Sequence, residues 1–286
     1  MEIQALTEHV GAEILGLDLR QELERDTLTE LCEGLYAHRV IVIREQKLTR
    51  DQYLAFGQQW GKPIPHVLDH MRMRRYPALL TVGNTEVRDR EVKIRNGAAL
   101  WHTDQSYEAE PASATMLYSL IAPTAGGETQ FCDMRAAYQA LPEAQRTQLD
   151  RYELAHKYGH GKRRTGELDV NPIINDDQDQ RVPSVYHPLV LTHPIAGHKA
   201  LYALGHGAHG VKGLASDEAD ALIESLKDHV LQEQFIYRHP YQRGDLVIWD
   251  TLQTMHSATP IDVAKSRRTS RLLWRISVRG KPSVYQ

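Results

Sequence analysis

The sequence predicts a mainly β fold with flanking helices, and three observations carry that expectation. Short runs rich in Val, Ile, Tyr and Trp recur along the 286 residues, several bounded by turn pairs such as Gly126-Gly127 and Gly244-Asp245. Fewer, longer segments show helical spacing instead. No GxGxxG or P-loop motif follows any strand, so a doubly wound nucleotide fold has no support. The pattern suits a sandwich or barrel braced by helices.

In chain order, the expected strands are 40–43, 79–82, 115–120, 129–131, 189–192, 200–204, 235–238, 246–249 and 272–278. The first expected helix, 27–38, places Leu28, Leu31 and Leu35 on one stripe. The second, 49–60, groups Tyr53 with Phe56 and has Asp51 in its first turn. Asp133 is expected to cap a helix after the 129–131 strand. Ser216 reads as the N-cap of a further helix, with Asp217 and Glu218 where the helix dipole favours anions. That helix sets Leu222, Leu226 and Val230 on one face. The one long irregular stretch is 158–183, with Lys162, Arg163 and Arg164 followed by Asp176, Asp177 and Asp179. A loop of that length inside a compact domain reads as a functional lid, and 1–286 reads as one domain.

Composition narrows the function. With 34 basic and 37 acidic side chains the net charge is −3, which lacks the electrostatic footprint of a general nucleic-acid binder. The Arg72-Met73-Arg74-Arg75 cluster is then a solvated face or a partner contact. Two cysteines, Cys32 and Cys132, cannot build a disulfide framework or a cysteine-rich zinc module, and Cys132 reads as a small buried apolar residue. Glu2, Glu8 and Glu13 interrupt the N-terminus, which shows no signal-peptide pattern, and no segment approaches the roughly 20 apolar residues of a membrane helix. A soluble, cytoplasmic protein is expected.

The chemistry starts at Trp101-His102-Thr103-Asp104. In extended backbone, residues i and i+2 point to one side, so His102 and Asp104 can present a nitrogen and a carboxylate oxygen to one point. Alone, the pair equally describes a core histidine bonded to an acid. His256, just beyond the buried-looking run Leu246-Val247-Ile248-Trp249-Asp250, offers a second imidazole. Two histidines and one carboxylate form the facial set of non-haem Fe(II) oxygenases. Arg271 and Arg275, four apart on an expected strand, face one way, and inward guanidinium groups call for anions.

These residues, with Gly126-Gly127-Glu128-Thr129 and the Gly244–Asp250 run, resemble the taurine dioxygenase / 2,4-dichlorophenoxyacetate dioxygenase family. The likeness runs from Val10-Gly11-Ala12-Glu13-Ile14 to Gly280-Lys281-Pro282. It implies a double-stranded β-helix (jelly-roll, cupin-like) core and use of Fe(II), 2-oxoglutarate and O2. It also implies His102, Asp104 and His256 as iron ligands, and Thr129 and Arg271 as holders of 2-oxoglutarate. Arg275 and His66 then hold the substrate anion. Spacing leaves Arg267 as a competitor for the cosubstrate, with Arg271 then taking the substrate. Asp69 and Ala98 stand where the taurine enzyme has a tyrosine and an asparagine, which argues against taurine. A carboxylate at Asp104 separates the chain from related halogenases, which leave that position free for chloride.

The expected reaction is hydroxylation of a small organic anion with release of succinate and CO2. Aryloxyalkanoates come first as substrates, and alkyl sulfonates or sulfate esters second. The likeness also implies a homo-oligomer, a dimer or a tetramer. Two other classes stay open: zinc hydrolysis, since His206-x-x-His209 adds imidazoles in a glycine-rich turn, and a jelly roll kept only for binding. His187, His193, His198 and His239 read as surface or hydrogen-bonded residues, and Trp101 and Trp249 as packing under the metal.

Overall fold

A computed structural model of the chain describes residues 1–161, 167–170 and 174–286. Its largest sheet has nine strands. In spatial order they are Glu2–Ala5, Ala12–Leu15, Val40–Ile43, Leu246–Asp250, Ala114–Ile121, Leu272–Arg279, Tyr76–Gly83 and Arg72–Met73, with Lys62–Pro63 paired at the end of Leu272–Arg279. Neighbours run antiparallel except Ala12–Leu15 beside Val40–Ile43, and the helix Arg25–His38 makes that crossover. A second antiparallel sheet stacks Ile236–His239, Thr129–Asp133 and Thr254–Ala258. Smaller pairings join Glu153–His156 to Val185–Pro188 and Ala208–Val211, and Val190–Thr192 to Lys199–Leu201.

Alternation along the strands assigns the layers. Ile41, Ile43, Ile248, Met116 and Ile276 lie on the face that packs against the helices Arg25–His38 and Arg50–Trp60, through Leu28, Leu31, Leu35, Tyr53, Phe56 and Trp60. Val40, Val42, Val247, Trp249 and Leu273 lie on the opposite face and meet Phe131 of the second sheet. On the far side of that sheet, Cys132 and Met255 join a cluster with Met134, Ile223, Leu226 and Val230 from two more helices. These apolar faces are therefore covered, and the inner space lies between the two sheets.

The expected strands are present with shifted ends. The run expected at 200–204 stops at Leu201, within Lys199–Leu201. Thr49 caps its helix by accepting the Gln52 N–H, and Asp133 caps Met134–Gln139 by accepting from Ala136. Ser216 is not the N-cap: it is the first helical residue, Ala215 holds the cap position, and Glu218 accepts the Ala215 N–H. The buried stripe of that helix runs through Ala219, Ile223, Leu226 and Val230, with Leu222 at its edge. The stretch 158–183 is not wholly irregular, because Asn175 caps a short helix at Asp176–Arg181. Lys162, Arg163 and Arg164 lie outside the described residues. Trp101 packs into the cluster around Met255, whereas Trp249 sits against His256 with ring centroids 4.7 Å apart.

One buried ion pair ties the layers. Arg39 ends the first helix in a left-handed conformation (φ 63°), and its guanidinium donates to Asp133 at 2.6 Å and to the carbonyls of Ala37 and His9. Both side chains are under 10 % exposed. Removing one partner strands a buried charge, so Asp133→Ala is expected to cost about 3–5 kcal/mol, read as a lowered urea midpoint. A loss within experimental error would show that Arg39 re-pairs or hydrates.

Candidate metal centre and its pocket

Two segments far apart in sequence bring the imidazoles together. His102 donates its N–H to the carbonyl of His256, and His256 returns the bond, both at 2.9 Å. This isolated antiparallel bridge sets the two rings side by side, with centroids 4.1 Å apart. His256 lies on Thr254–Ala258, a strand the chain enters by switching sheets across residues 251–253. Sequence periodicity missed that strand because it mixes Thr, Ser, His and Met. Gly205 backs the bridge: a Cβ there would meet the Trp101 carbonyl oxygen at 2.3 Å and the His102 Cα at 2.7 Å.

Asp104 completes the set. One ligand atom each from His102, Asp104 and His256 falls within 4.8 Å of the others, and among the described residues no other His/Cys/Asp/Glu group does so. His102 hydrogen-bonds the Leu100 carbonyl through Nδ1 at 2.7 Å, so Nδ1 carries the proton and Nε2 is free. Asp104 Oδ1 accepts from Arg275 at 2.5 Å, while its Oδ2 is buried without a hydrogen-bond partner. A lone buried carboxylate oxygen is costly, and an ion satisfies it. Burial pushes both His102 and His256 down, so each imidazole is held neutral. Burial opposes ionisation of Asp104, yet the Arg275 guanidinium beside it holds the carboxyl well below the usual range. Neutral imidazoles and an ionised acid are the states in which these groups bind a divalent metal. The residues fit Fe(II).

These three groups open onto a cavity of about 610 Å³, within the range of small-molecule sites. Thr129, Arg271, Arg275 and His66 all line it. Arg271 is buried, with its guanidinium carbon 5.3 Å from the centre of the Tyr241 ring and its Nε unpaired. Asn84 fixes the Arg271 backbone, accepting its N–H and donating to its carbonyl. Gly127 (φ 74°) makes room for the arginine shaft, which a Cβ would approach to 2.9 Å. Thr129 shares a 3.0 Å hydrogen bond with the Tyr241 hydroxyl. Arg267, the competing arginine, is exposed on the Arg267–Thr269 turn and does not line the cavity.

Arg275 is not an idle cation: Nη2 bonds both Asp104 and Ser277. His66 accepts the Leu68 N–H at 3.1 Å through Nδ1, and burial pushes its pKa down to about 3, so it faces the cavity as a neutral donor. Tyr107 and Tyr158 flank it with ring centroids 4.8 Å apart, and sequence reasoning singled out neither. Ala98 lines the cavity, whereas Asp69 turns outward to Arg72 and Arg181. Arg181 thus ties the helix Asp176–Arg181 to the cavity rim, and Gln178 of that helix lines the cavity. Neither His206 nor His209 joins the metal set: His206 lines the cavity wall, and His209 sits on the strand Ala208–Val211 beside Ser184.

His156, behind the cavity, is fully buried with neither ring nitrogen paired, and burial pushes its pKa down to about 3. The unfolded chain takes up this proton near pH 6.5 and the folded chain does not, so stability falls as pH drops from about 6.5 toward 3. One such group contributes a slope of at most about 1.4 kcal/mol per pH unit. His156→Leu should flatten the acid limb of urea midpoints measured across that window. An unchanged limb would show that the site protonates freely when folded.

Among the described residues no helix is long and apolar enough to cross a membrane. Residues 2–277 match the family described as "Taurine catabolism dioxygenase TauD, TfdA family". The alpha-ketoglutarate-dependent 2,4-dichlorophenoxyacetate dioxygenase of Cupriavidus pinatubonensis is 32 % identical over 272 residues, 91 % of this chain and 93 % of that one. The alpha-ketoglutarate-dependent sulfate ester dioxygenase of Pseudomonas putida is 30 % identical over 269 residues, 90 % of this chain and 84 % of its own. The crystal structure of AAD-2 in complex with Mn(II) and N-oxalylglycine superposes with a TM-score of 0.79 at 28 % identity, covering 98 % of this chain and 97 % of that one. The expected fold is shared with that solved structure, and both relatives are described as alpha-ketoglutarate-dependent, which is 2-oxoglutarate by another name.

Proposed function

The chain belongs to the TauD/TfdA family of 2-oxoglutarate-dependent dioxygenases, and from that premise we propose that it hydroxylates a small aryloxyalkanoate-like anion. The observation that carries this reading is a shared cavity: the His102, Asp104 and His256 set opens onto one space with two arginines and a mostly apolar wall. Iron bound there supplies the oxidative decarboxylation of 2-oxoglutarate to succinate and CO2 and the power to hydroxylate a C–H bond.

The protein's share is placement. His102, Asp104 and His256 would hold the metal, and all three line the cavity where ligands would enter. Arg271, stacked on Tyr241 and buried, meets the distal carboxylate of 2-oxoglutarate, and Thr129 adds a hydroxyl beside it. In a dry site a charge-assisted contact of this kind is far stronger than in water. Arg275 takes the substrate carboxylate while one of its nitrogens stays on Asp104, and His66 donates a neutral N–H. Leu68, Met71, Leu80, Val82 and Leu117, with Tyr107 and Tyr158, suit an aromatic ring better than a short polar chain. If hydroxylation falls on a carbon bearing an ether oxygen, the product collapses and releases the aryl fragment.

Succinate release with Fe(II), measured across aryloxyacetates, aryloxypropionates, alkyl sulfonates, sulfate esters and neutral aryl ethers, tests the proposal. Aryloxyalkanoates should turn over fastest. Preference for sulfate esters would move the substrate class toward that of the Pseudomonas putida relative, and turnover confined to neutral or cationic compounds would overturn the anion role of Arg275.

A further inference from the structure

A hydrogen-bonded triad sits outside the metal centre and takes no part in the reaction above. The Tyr237 hydroxyl lies 3.0 Å from His239 Nδ1, and His239 Nε2 lies 3.1 Å from Asp245 Oδ2. His239 and Asp245 are 0 % and 1 % exposed, and Tyr237 is half-buried. The Asp245 carboxylate only accepts, and it also receives Arg44 and the Gln242 N–H. Nε2 of His239 therefore carries the ring proton, and Nδ1 accepts the phenol O–H. Among the described residues, Tyr237 is the phenol whose hydrogen-bond partner is an imidazole nitrogen. Tyr53 and Tyr118 point at backbone carbonyls, and Tyr241 at the Thr129 hydroxyl.

The triad connects to the metal centre through rings. Trp249 lies 4.7 Å from the ring of the ligand His256, Phe131 lies 5.2 Å from Trp249, and Tyr237 stacks on Phe131 at 6.3 Å with an 18° tilt. The Trp249 indole N–H is buried with no acceptor. An electron lost there cannot be followed by loss of the proton, so the charge passes on instead of being trapped. At Tyr237 the opposite holds, because a base is already in place.

We propose that Tyr237 is a redox-active residue that ends an electron path from the metal centre and protects the enzyme when no substrate is seated. Each pass moves one electron and one proton, and two passes, each refilled from outside, return the two-electron-oxidised iron to Fe(II). Trp249 gives one electron to iron oxidised by O2 and 2-oxoglutarate, and Tyr237 gives one electron to Trp249. The Tyr237 O–H bond breaks, the proton moves to His239 Nδ1, and the imidazolium is paired with Asp245. A diffusible reductant of the ascorbate or thiol class returns the electron at the half-buried ring, and His239 returns the proton. Burial pushes the Tyr237 pKa up to about 12, so the phenol keeps its proton until it is oxidised.

The oxidant comes from the dioxygenase reading, so the test has an arm that needs no metal. Metal-free protein is oxidised by photogenerated tris(bipyridine)ruthenium(III), and the neutral tyrosyl radical is followed by absorption and EPR. Tyr237→Phe and His239→Gln should each lower the radical yield severalfold. In the second arm the Fe(II) enzyme is given 2-oxoglutarate and O2 without substrate. Tyr237→Phe should then inactivate severalfold faster and accumulate oxidised tryptophan by peptide mass spectrometry, with its turnover on substrate unchanged. Tyr237→Phe removes one hydroxyl and keeps the ring stack, so it carries the test even if His239→Gln fails to fold. An unchanged radical yield in the metal-free arm, or equal inactivation rates where the native enzyme does inactivate in the second, overturns the proposal. A metal-free arm that succeeds while the second shows no oxidation at all would fault the dioxygenase reading and leave the relay standing.

Discussion

His256→Ala should lower Fe(II)-dependent succinate formation by more than about a hundredfold, beyond the 10–100-fold that follows loss of groups merely supporting a ligand. The residue offers one of three metal donors, and its backbone pairs with His102. Alanine keeps that backbone bridge and removes only the imidazole. The fold should therefore survive, and a thermal melt close to the native one together with lost Fe(II) binding separates a missing ligand from a collapsed site. Retained tight Fe(II) binding in this variant would mean that the ion is held elsewhere.

The second large effect is expected at Arg271. Its guanidinium is buried, and Glu128 and Tyr241 ease its charge while burial opposes it. Such a group is stable when an anion arrives to share the cavity. Arg271→Gln should weaken 2-oxoglutarate by about 2–5 kcal/mol, roughly 30-fold to several-thousand-fold in KM, with a smaller change in kcat. Arg267→Gln, on the exposed turn, should leave that KM alone. If Arg267→Gln instead raises KM and Arg271→Gln does not, the two arginines exchange roles.

How much of this was legible in the sequence follows from which patterns have a period. The strands of the large sheet are runs such as Val40–Ile43 and Leu246–Asp250, whose two faces are both buried, and such runs are visible as unbroken apolar stretches. The helices Arg25–His38 and Arg50–Trp60 show one apolar stripe and were equally plain. Thr254–Ala258 carries the ligand His256 and was invisible as a strand, since its polar residues face a site and not solvent. The strand pairs Glu2–Ala5 with Ala12–Leu15 and Glu153–His156 with Val185–Pro188 were missed for a related reason: short, partly exposed strands mix charges with apolar residues.

At the site, motif spacing named His102, Asp104, Thr129 and Arg271, because each stands in a recognisable local string. Tyr241, Asn84, Tyr107 and Tyr158 have no such string. Their importance comes from long-range packing that one sequence does not display. The contact between Arg275 and Asp104 also had no local signal, because it joins the middle of the strand Leu272–Arg279 to the turn after His102.

Anaerobic titration of Fe(II) into the protein with 2-oxoglutarate, followed by visible absorption, tests the metal assignment most directly. The chelate of 2-oxoglutarate on iron held by His102, Asp104 and His256 should give a broad charge-transfer band that saturates at one iron per chain and is absent in His256→Ala. A colourless titration with the native chain, or an equal band in His256→Ala, would contradict it.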